Sequence, residues 1–200
     1  MLVRKIIALA VAVFFVLALC QKSKAEMIWS DGFESGNFSA WASVSGDWSI
    51  MSSTTYAHSG SKRASVKGPS TSGGDILLLA ESSTGYKNIT FEYWYRFPSY
   101  ALLVSDHVSV DYSLNSGSSW QTLTNYIKTA TGEWTQASFS LPAFADNNSQ
   151  LEFRVLAQLS GDGNRMWFDD FALAAEPIPE PTSVLIFLSC FLYPIVRRKH

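Results

Sequence analysis

The chain has 200 residues, with 15 basic and 17 acidic side chains and only two cysteines. That length supports one domain with a real core, not comfortably two. No basic stripe is present, which excludes a nucleic-acid partner. Cys20 and Cys190 lie in the terminal segments, so the body folds without disulfides. Setting aside the terminal basic residues and the tail acids Glu176 and Glu180 leaves eight cations against fifteen acids, a body of about −7.

Arg4 and Lys5 precede an apolar run over 6–19 and a polar stretch ending Ser23, Lys24, Ala25. A charged start, an apolar centre and small residues at 23 and 25 mark a secretory signal peptide over 1–25, cut between Ala25 and Glu26. Cys20 invites a lipoprotein reading, but Leu19 stands where such a site wants a small residue. A retained anchor is the other reading, and the run is short of the roughly 20 residues a span needs.

The mature chain opens on an acidic segment, Trp29, Ser30, Asp31, Gly32, Phe33, Glu34, Ser35, Gly36. Beyond it apolar residues recur every second position rather than every 3.6. Weak strands are expected at 48–52, 63–67 and 75–81. A clear one places Ile89, Phe91, Tyr93, Tyr95 and Phe97 on one face, with Thr90, Glu92 and Arg96 on the other. Val108, Val110, Tyr112 and Leu114 repeat the pattern, and Asn115, Ser116 and Gly117 supply the turn of a hairpin into 120–123. A weak strand follows at 134–141. Leu151, Phe153, Val155, Ala157 and Leu159 then alternate with Glu152, Arg154 and Gln158, and Gly161, Asp162, Gly163 and Asn164 read as the turn of a second hairpin into a last strand. Eight or more short strands without helical periodicity predict an all-β fold, an antiparallel jelly-roll β-sandwich, over 26–175.

The last strand carries a conflict. Arg165, Met166, Trp167, Phe168, Asp169, Asp170, Phe171, Ala172 and Leu173 are apolar on both parities, yet two carboxylates sit in the middle, where uncompensated charge costs several kcal/mol. The acidic opening adds further carboxylates rather than cations. Together they suggest a hard cation, with Asp31, Glu34, Asp169 and Asp170 as candidate calcium ligands beside loop carbonyls near 58–61. The alternation places Asp169 and Asp170 on opposite faces, so one of them is the principal ligand. The competing reading has these acids capping loops.

Trp29, Trp41, Trp48, Trp120 and Trp167 sit in apolar patterns and are expected in the core. Trp94 falls on the polar parity of its strand, and Tyr56, Tyr100, Tyr126 and Trp134 lie in or near loops. Sugar faces stack on exposed rings flanked by polar groups, so these five are candidate glycan contacts; alternatively Trp94 packs beneath a second sheet. No nucleophile elbow, zinc motif or phosphate loop occurs. The histidines are His58, His107 and His200, and Asp106 beside His107 is the one local carboxylate–imidazole pair. The expected role is non-catalytic binding at the cell surface or in the matrix. The alternative is a secreted carbohydrate-active hydrolase with carboxylates dispersed in sequence.

The ordered series Asp31, Gly32, Phe33, Glu34, then His58, Ser59, Gly60, Ser61, then 89–96 and 108–123, then Phe168, Asp169, Asp170, Phe171 resembles MAM-type and related galactose-binding-like jelly rolls, apart from the MAM cysteines, which are missing. The resemblance implies a calcium ion bridging the acidic opening and the last strand, and a role in adhesion or carbohydrate binding.

The tail is a separate module. Pro177, Pro179 and Pro181 make 176–182 a stiff spacer. From 183 an apolar run leads to Arg197, Arg198, Lys199 and His200, a short hydrophobic anchor helix with its basic stop left in the cytoplasm. This arrangement resembles a PEP-CTERM sorting signal with Pro179, Glu180 and Pro181 as its motif. It implies processing by an exosortase in a Gram-negative bacterium that makes extracellular polysaccharide. The protein is then expected at the envelope, outer surface or matrix, anchored transiently in the inner membrane.

Overall fold

The computed structural model describes residues 24–97, 105–127 and 132–179. Tyr100 lies outside them, as do Glu180, Pro181, the tail's apolar run and Arg197, Arg198 and Lys199, and the signal segment up to Ser23. Within them, Ala25–Glu176 is one compact unit. It holds eleven strands: β1 (Glu26–Asp31), β2 (Ser43–Ser45), β3 (Trp48–Ser52), β4 (Lys62–Lys67), β5 (Asp75–Ala80), β6 (Tyr86–Arg96), β7 (His107–Ser113), β8 (Gln121–Ile127), β9 (Thr135–Ser140), β10 (Glu152–Gln158) and β11 (Arg165–Pro177). One 3-10 turn, Ala143–Ala145, precedes β10.

The strands form two antiparallel sheets. A six-stranded sheet runs β3-β4-β11-β6-β9 with β1 also on β11, and a five-stranded sheet runs β2-β5-β10-β7-β8. The alternation of β6 is realised: Ile89, Phe91, Tyr93 and Phe97 are fully buried. On the facing sheet Phe153 stacks on Phe91 with centroids 4.2 Å apart, and the Tyr93 and Tyr126 hydroxyls meet at 2.8 Å. The core is therefore the layer between the sheets, as expected for a sandwich.

The β7–β8 hairpin forms across the turn at Asn115, Ser116 and Gly117. Gly117 has φ +75°, and a Cβ there would come within 3.0 Å of Glu152. The second expected hairpin does not form. β10 pairs with β5 and β7 in one sheet, while β11 pairs with β4 and β1 in the other. The segment 159–164 therefore crosses between sheets. Asp106 holds that crossing by accepting from the Ser160 amide at 2.7 Å and from the Asn164 side chain. Inward apolar faces of opposing sheets carry the same alternation as a hairpin, so periodicity alone does not separate the two. The acidic opening is strand only as far as Asp31, where β1 borders the second half of β11, and the segment 32–36, with Glu34, forms a turn.

β11 changes partner midway. Arg165–Phe168 lie against β4 and Phe171–Ala175 against β1. At the handover Asp170 adopts φ +45°, a left-handed position that an Asp tolerates better than a branched residue. This irregularity breaks the alternation. Phe168 and Phe171, three apart, both enter the core with centroids 5.7 Å apart, whereas strict pleating would separate them.

Candidate functional site

The handover leaves a gap between β4 and β1, and two loops close it with the acids of the opening and of β11. Asp169, fully buried, accepts the His58 amide at 2.8 Å and, more weakly, that of Ser59 on one oxygen, and the Asp170 amide at 2.8 Å on the other. Asp170 lies 2.6 Å from His58 Nδ1 and accepts the Ser59 hydroxyl at 2.7 Å. Glu34 accepts the amides of Ser61 and Lys62 at 2.8 and 2.7 Å and the Ser61 hydroxyl at 2.9 Å. Gly60 permits this approach: it has φ +57°, and a Cβ there would lie 2.6 Å from Glu34.

Asp31 is placed apart in function. It accepts the Phe33 amide and the Trp41 indole N–H, both at 2.8 Å, and so fixes the turn in which buried Phe33 holds φ +59°. Burial pushes the Asp169 carboxyl up to about 6, with the neighbouring Asp170 charge adding and the His58 and Asp170 amides opposing. The Ser61 and Lys62 amides hold Glu34 below its ordinary value.

These donors answer how the paired acids are compensated. The segment 58–62 offers them N–H and O–H groups where a calcium site needs carbonyl oxygens. Among the described residues no three of His, Cys, Asp and Glu are grouped to share an ion. The expectation for Asp31, Glu34, Asp169 and Asp170 thus meets a donor set that does not fit a hard cation, and the acids clasp loops instead. Melting in millimolar calcium and in chelator is expected to coincide. A rise with calcium that disappears in Glu34→Gln would restore the ion to this position.

Beside the clasp, the face of the six-stranded sheet turned away from the core gathers aromatic and guanidinium groups. Ala64, Val66, Met166 and Phe168 point inward, so Arg63, Ser65, Arg165 and Trp167 take the other parity. On β6, Trp94 and Arg96 do the same. His58 stacks on Trp94 at 3.8 Å and meets the Trp134 edge at 5.8 Å. Tyr56 lies 5.9 Å from Trp167. The Arg63 guanidinium sits 4.1 Å over Trp167, with Arg96 at 5.4 Å. Burial lowers the Arg63 pKa and the charges of Arg96 and Arg165 push it the same way, while Asp169 opposes them.

Of the candidate glycan contacts, Trp94 and Trp134 thus meet at His58, while Tyr56, two residues before His58, lies against Trp167. Tyr126 does not belong with them. Its ring is in the core and burial raises its hydroxyl pKa well above the ordinary value. Trp167 and Trp120 were expected in the core; Trp167 is buried, at 7% exposed, but on the outer parity of β11 and apart from the main core cluster, and Trp120 lies under Arg154, 4.3 Å from its guanidinium. Arg63, Arg96 and Arg165 were missed as site residues. Their polar parity was visible, but their adjacency depends on the strand order β4-β11-β6, which no local pattern carries.

The His58–Asp170 pair orients an imidazole, and Ser59 sits on the carboxylate side of it. Among the described residues no hydroxyl hydrogen-bonds the His58 ring. The Asp106–His107 pair is divided: Asp106 serves the sheet crossing, and His107 opens β7.

TmCBM61, solved in complex with β-1,4-galactotriose, aligns over 72% of this chain and 94% of its own length, at 18% identity and a TM-score of 0.52. The chain folds as a jelly-roll β-sandwich. The K2 cleaved adhesin domain of Lys-gingipain aligns over 76% of this chain and 99% of its own, at 17% identity and a TM-score of 0.53. The C-terminal family 22 carbohydrate-binding module of Clostridium thermocellum Xyn10B aligns over 77% and 96%, at 16% identity and a TM-score of 0.51. The likeness is one of fold. No protein-family model matches the chain, and no curated protein matches it.

Proposed function

We propose that this jelly roll is a non-catalytic glycan-binding module, and that the outer face of its six-stranded sheet is the binding face. The observation that carries the reading is two aromatic groups, Trp94 and Trp134 at His58 and Tyr56 at Trp167, linked by Arg96 of the same strand as Trp94, which lies over the rings of Tyr56 and Trp167, with Tyr56 47% exposed. Flat rings beside polar groups stack on sugar faces and orient the hydroxyls. Solved carbohydrate-binding modules of the same fold support the assignment. Around the module, the signal segment and the Pro179, Glu180, Pro181 motif with its apolar run and basic end make the protein an exported one, sorted to the envelope or matrix by an exosortase-type enzyme.

The test screens the full chain against a panel of oligosaccharides alongside Tyr56→Ala and Trp94→Ala. Loss of one stacking ring, worth about 0.5–1.5 kcal/mol, is expected to weaken binding by about twofold to tenfold. Binding to no glycan, or binding indifferent to both substitutions, would remove the reading. In a host carrying the cognate sorting enzyme, Glu180→Ala should block maturation, and normal processing would dismiss the sorting signal.

A further inference from the structure

Three guanidinium groups lie on three neighbouring strands of the proposed binding face: Arg63 on β4, Arg165 on β11 and Arg96 on β6. Arg63 is only 2% exposed. Among the described residues its one hydrogen-bond contact is a weak one, from Nη2 to the Met51 sulfur at 3.8 Å, and its Nε and Nη1 have no partner. The Nε atoms of Arg96 and Arg165 are equally buried and unpartnered, as are the indole nitrogens of Trp167 and Trp134. Six orphan donors thus belong to side chains of one patch, where buried polar groups are ordinarily satisfied.

The acids that would neutralise them are committed elsewhere. Both oxygens of Asp169 take backbone amides, and both oxygens of Asp170 take His58 and Ser59. In a body of about −7, this face concentrates unpaired positive charge. A guanidinium fork matches a planar carboxylate through two parallel hydrogen bonds, and a sulfate through the same donors. The rings beside it supply the stacking surface of a sugar.

Resting on the glycan reading above, we propose that the ligand of this face is an acidic polysaccharide, whose uronate carboxylate or sulfate ester is received by Arg96 and Arg165, with the buried Arg63 adding positive charge behind them. Neutral hydroxyls would satisfy single donors but leave Arg96 and Arg165 without a salt-bridge partner among the described residues, while Arg63 feels the charge of Asp169. A nucleic acid presents one charge about every 1.7 Å along the duplex and meets an acidic body outside the patch, so it is disfavoured.

Three oligosaccharides of equal length, an oligogalacturonate, a sulfated galactan fragment and its neutral galactan counterpart, are titrated into the full chain. Arg96→Gln and Arg165→Gln are measured beside it, because buried Arg63 is the substitution that risks the fold. An acidic oligosaccharide is expected to bind at least tenfold more tightly than the neutral one. Each Arg variant is expected to lose about tenfold for the acidic probe while keeping the wild-type melting temperature. Preference for oligogalacturonate identifies the carboxylate, and preference for the sulfated fragment identifies the sulfate; either supports the proposal. Equal affinity for neutral and acidic probes, unchanged in the Arg variants, overturns it and leaves the glycan reading standing. Binding to none of the three overturns the proposal and leaves the glycan reading to the wider oligosaccharide panel, and Arg-dependent binding to a single-stranded oligonucleotide in place of the glycans overturns it as well.

Discussion

Phe171→Ala should be the most damaging single truncation in the domain, lowering the melting temperature by about 10 °C. The ring is 1% exposed and joins the core rings of β6 and β11 to those of the segment 33–41. Its neighbours are Trp41 at 5.0 Å, Tyr93 at 5.2 Å, Phe168 at 5.7 Å, Phe91 at 5.8 Å and Phe33 at 6.0 Å. Removing a buried Phe costs about 3–5 kcal/mol, because the surrounding rings collapse only partly into the space left. Folded domains hold only about 5–15 kcal/mol in total. At about 2–4 °C per kcal/mol for a chain of this size, the shift is unmistakable in a thermal melt. The urea midpoint should fall with an unchanged slope. A loss below about 1 kcal/mol would mean that Phe171 is not the junction of the core.

Asp169 should make the domain more stable at pH 4 than at pH 7. Its carboxyl is pushed from 3.8 to about 6, first by burial and next by the Asp170 charge. Between those values the folded chain keeps a proton that the unfolded chain has released. Stability is therefore fully present below the unfolded value and is lost as pH rises through the folded one. A displacement of about two units corresponds to about 3 kcal/mol across the window. Glu34 works with the opposite sign and in a lower range: the amides of Ser61 and Lys62 depress it, so its contribution disappears only as pH falls below 4.5. Urea unfolding from pH 4 to 7 should show the decline in the native chain and a flat profile in Asp169→Asn. A native stability that climbs across this range would contradict the burial of that carboxyl.

The clasp around Asp169 also explains the unusual electrostatics of the proposed binding face. A carboxylate one position from the arginines would ordinarily pair with them. Here the amides of His58, Asp170 and, more weakly, Ser59 take those oxygens, and the loop 53–61 is held against β11 in return. The same contacts that close the gap between β4 and β1 keep the guanidinium groups available.

Strand identity and facing were legible in the sequence because both are local. The alternation of Ile89, Phe91, Tyr93 and Phe97 assigns an inner face without reference to any partner, and the Asn115, Ser116, Gly117 turn fixes its hairpin by dihedral preference alone. Trp94 was legible as an outward ring for the same reason. The sheet that each strand joins was not, because the inward faces of two opposed sheets look alike in sequence; 159–164 read as a turn and proved a crossing. The change of partner along β11 was hidden for a further reason: a single left-handed Asp170 resets the parity of everything after it, and no composition signals where that reset falls. Arg63, Arg165 and Arg96, some 30 to 100 residues apart, become one patch only when β4, β11 and β6 are laid side by side, since long-range pairing and not local preference sets which side chains share a face.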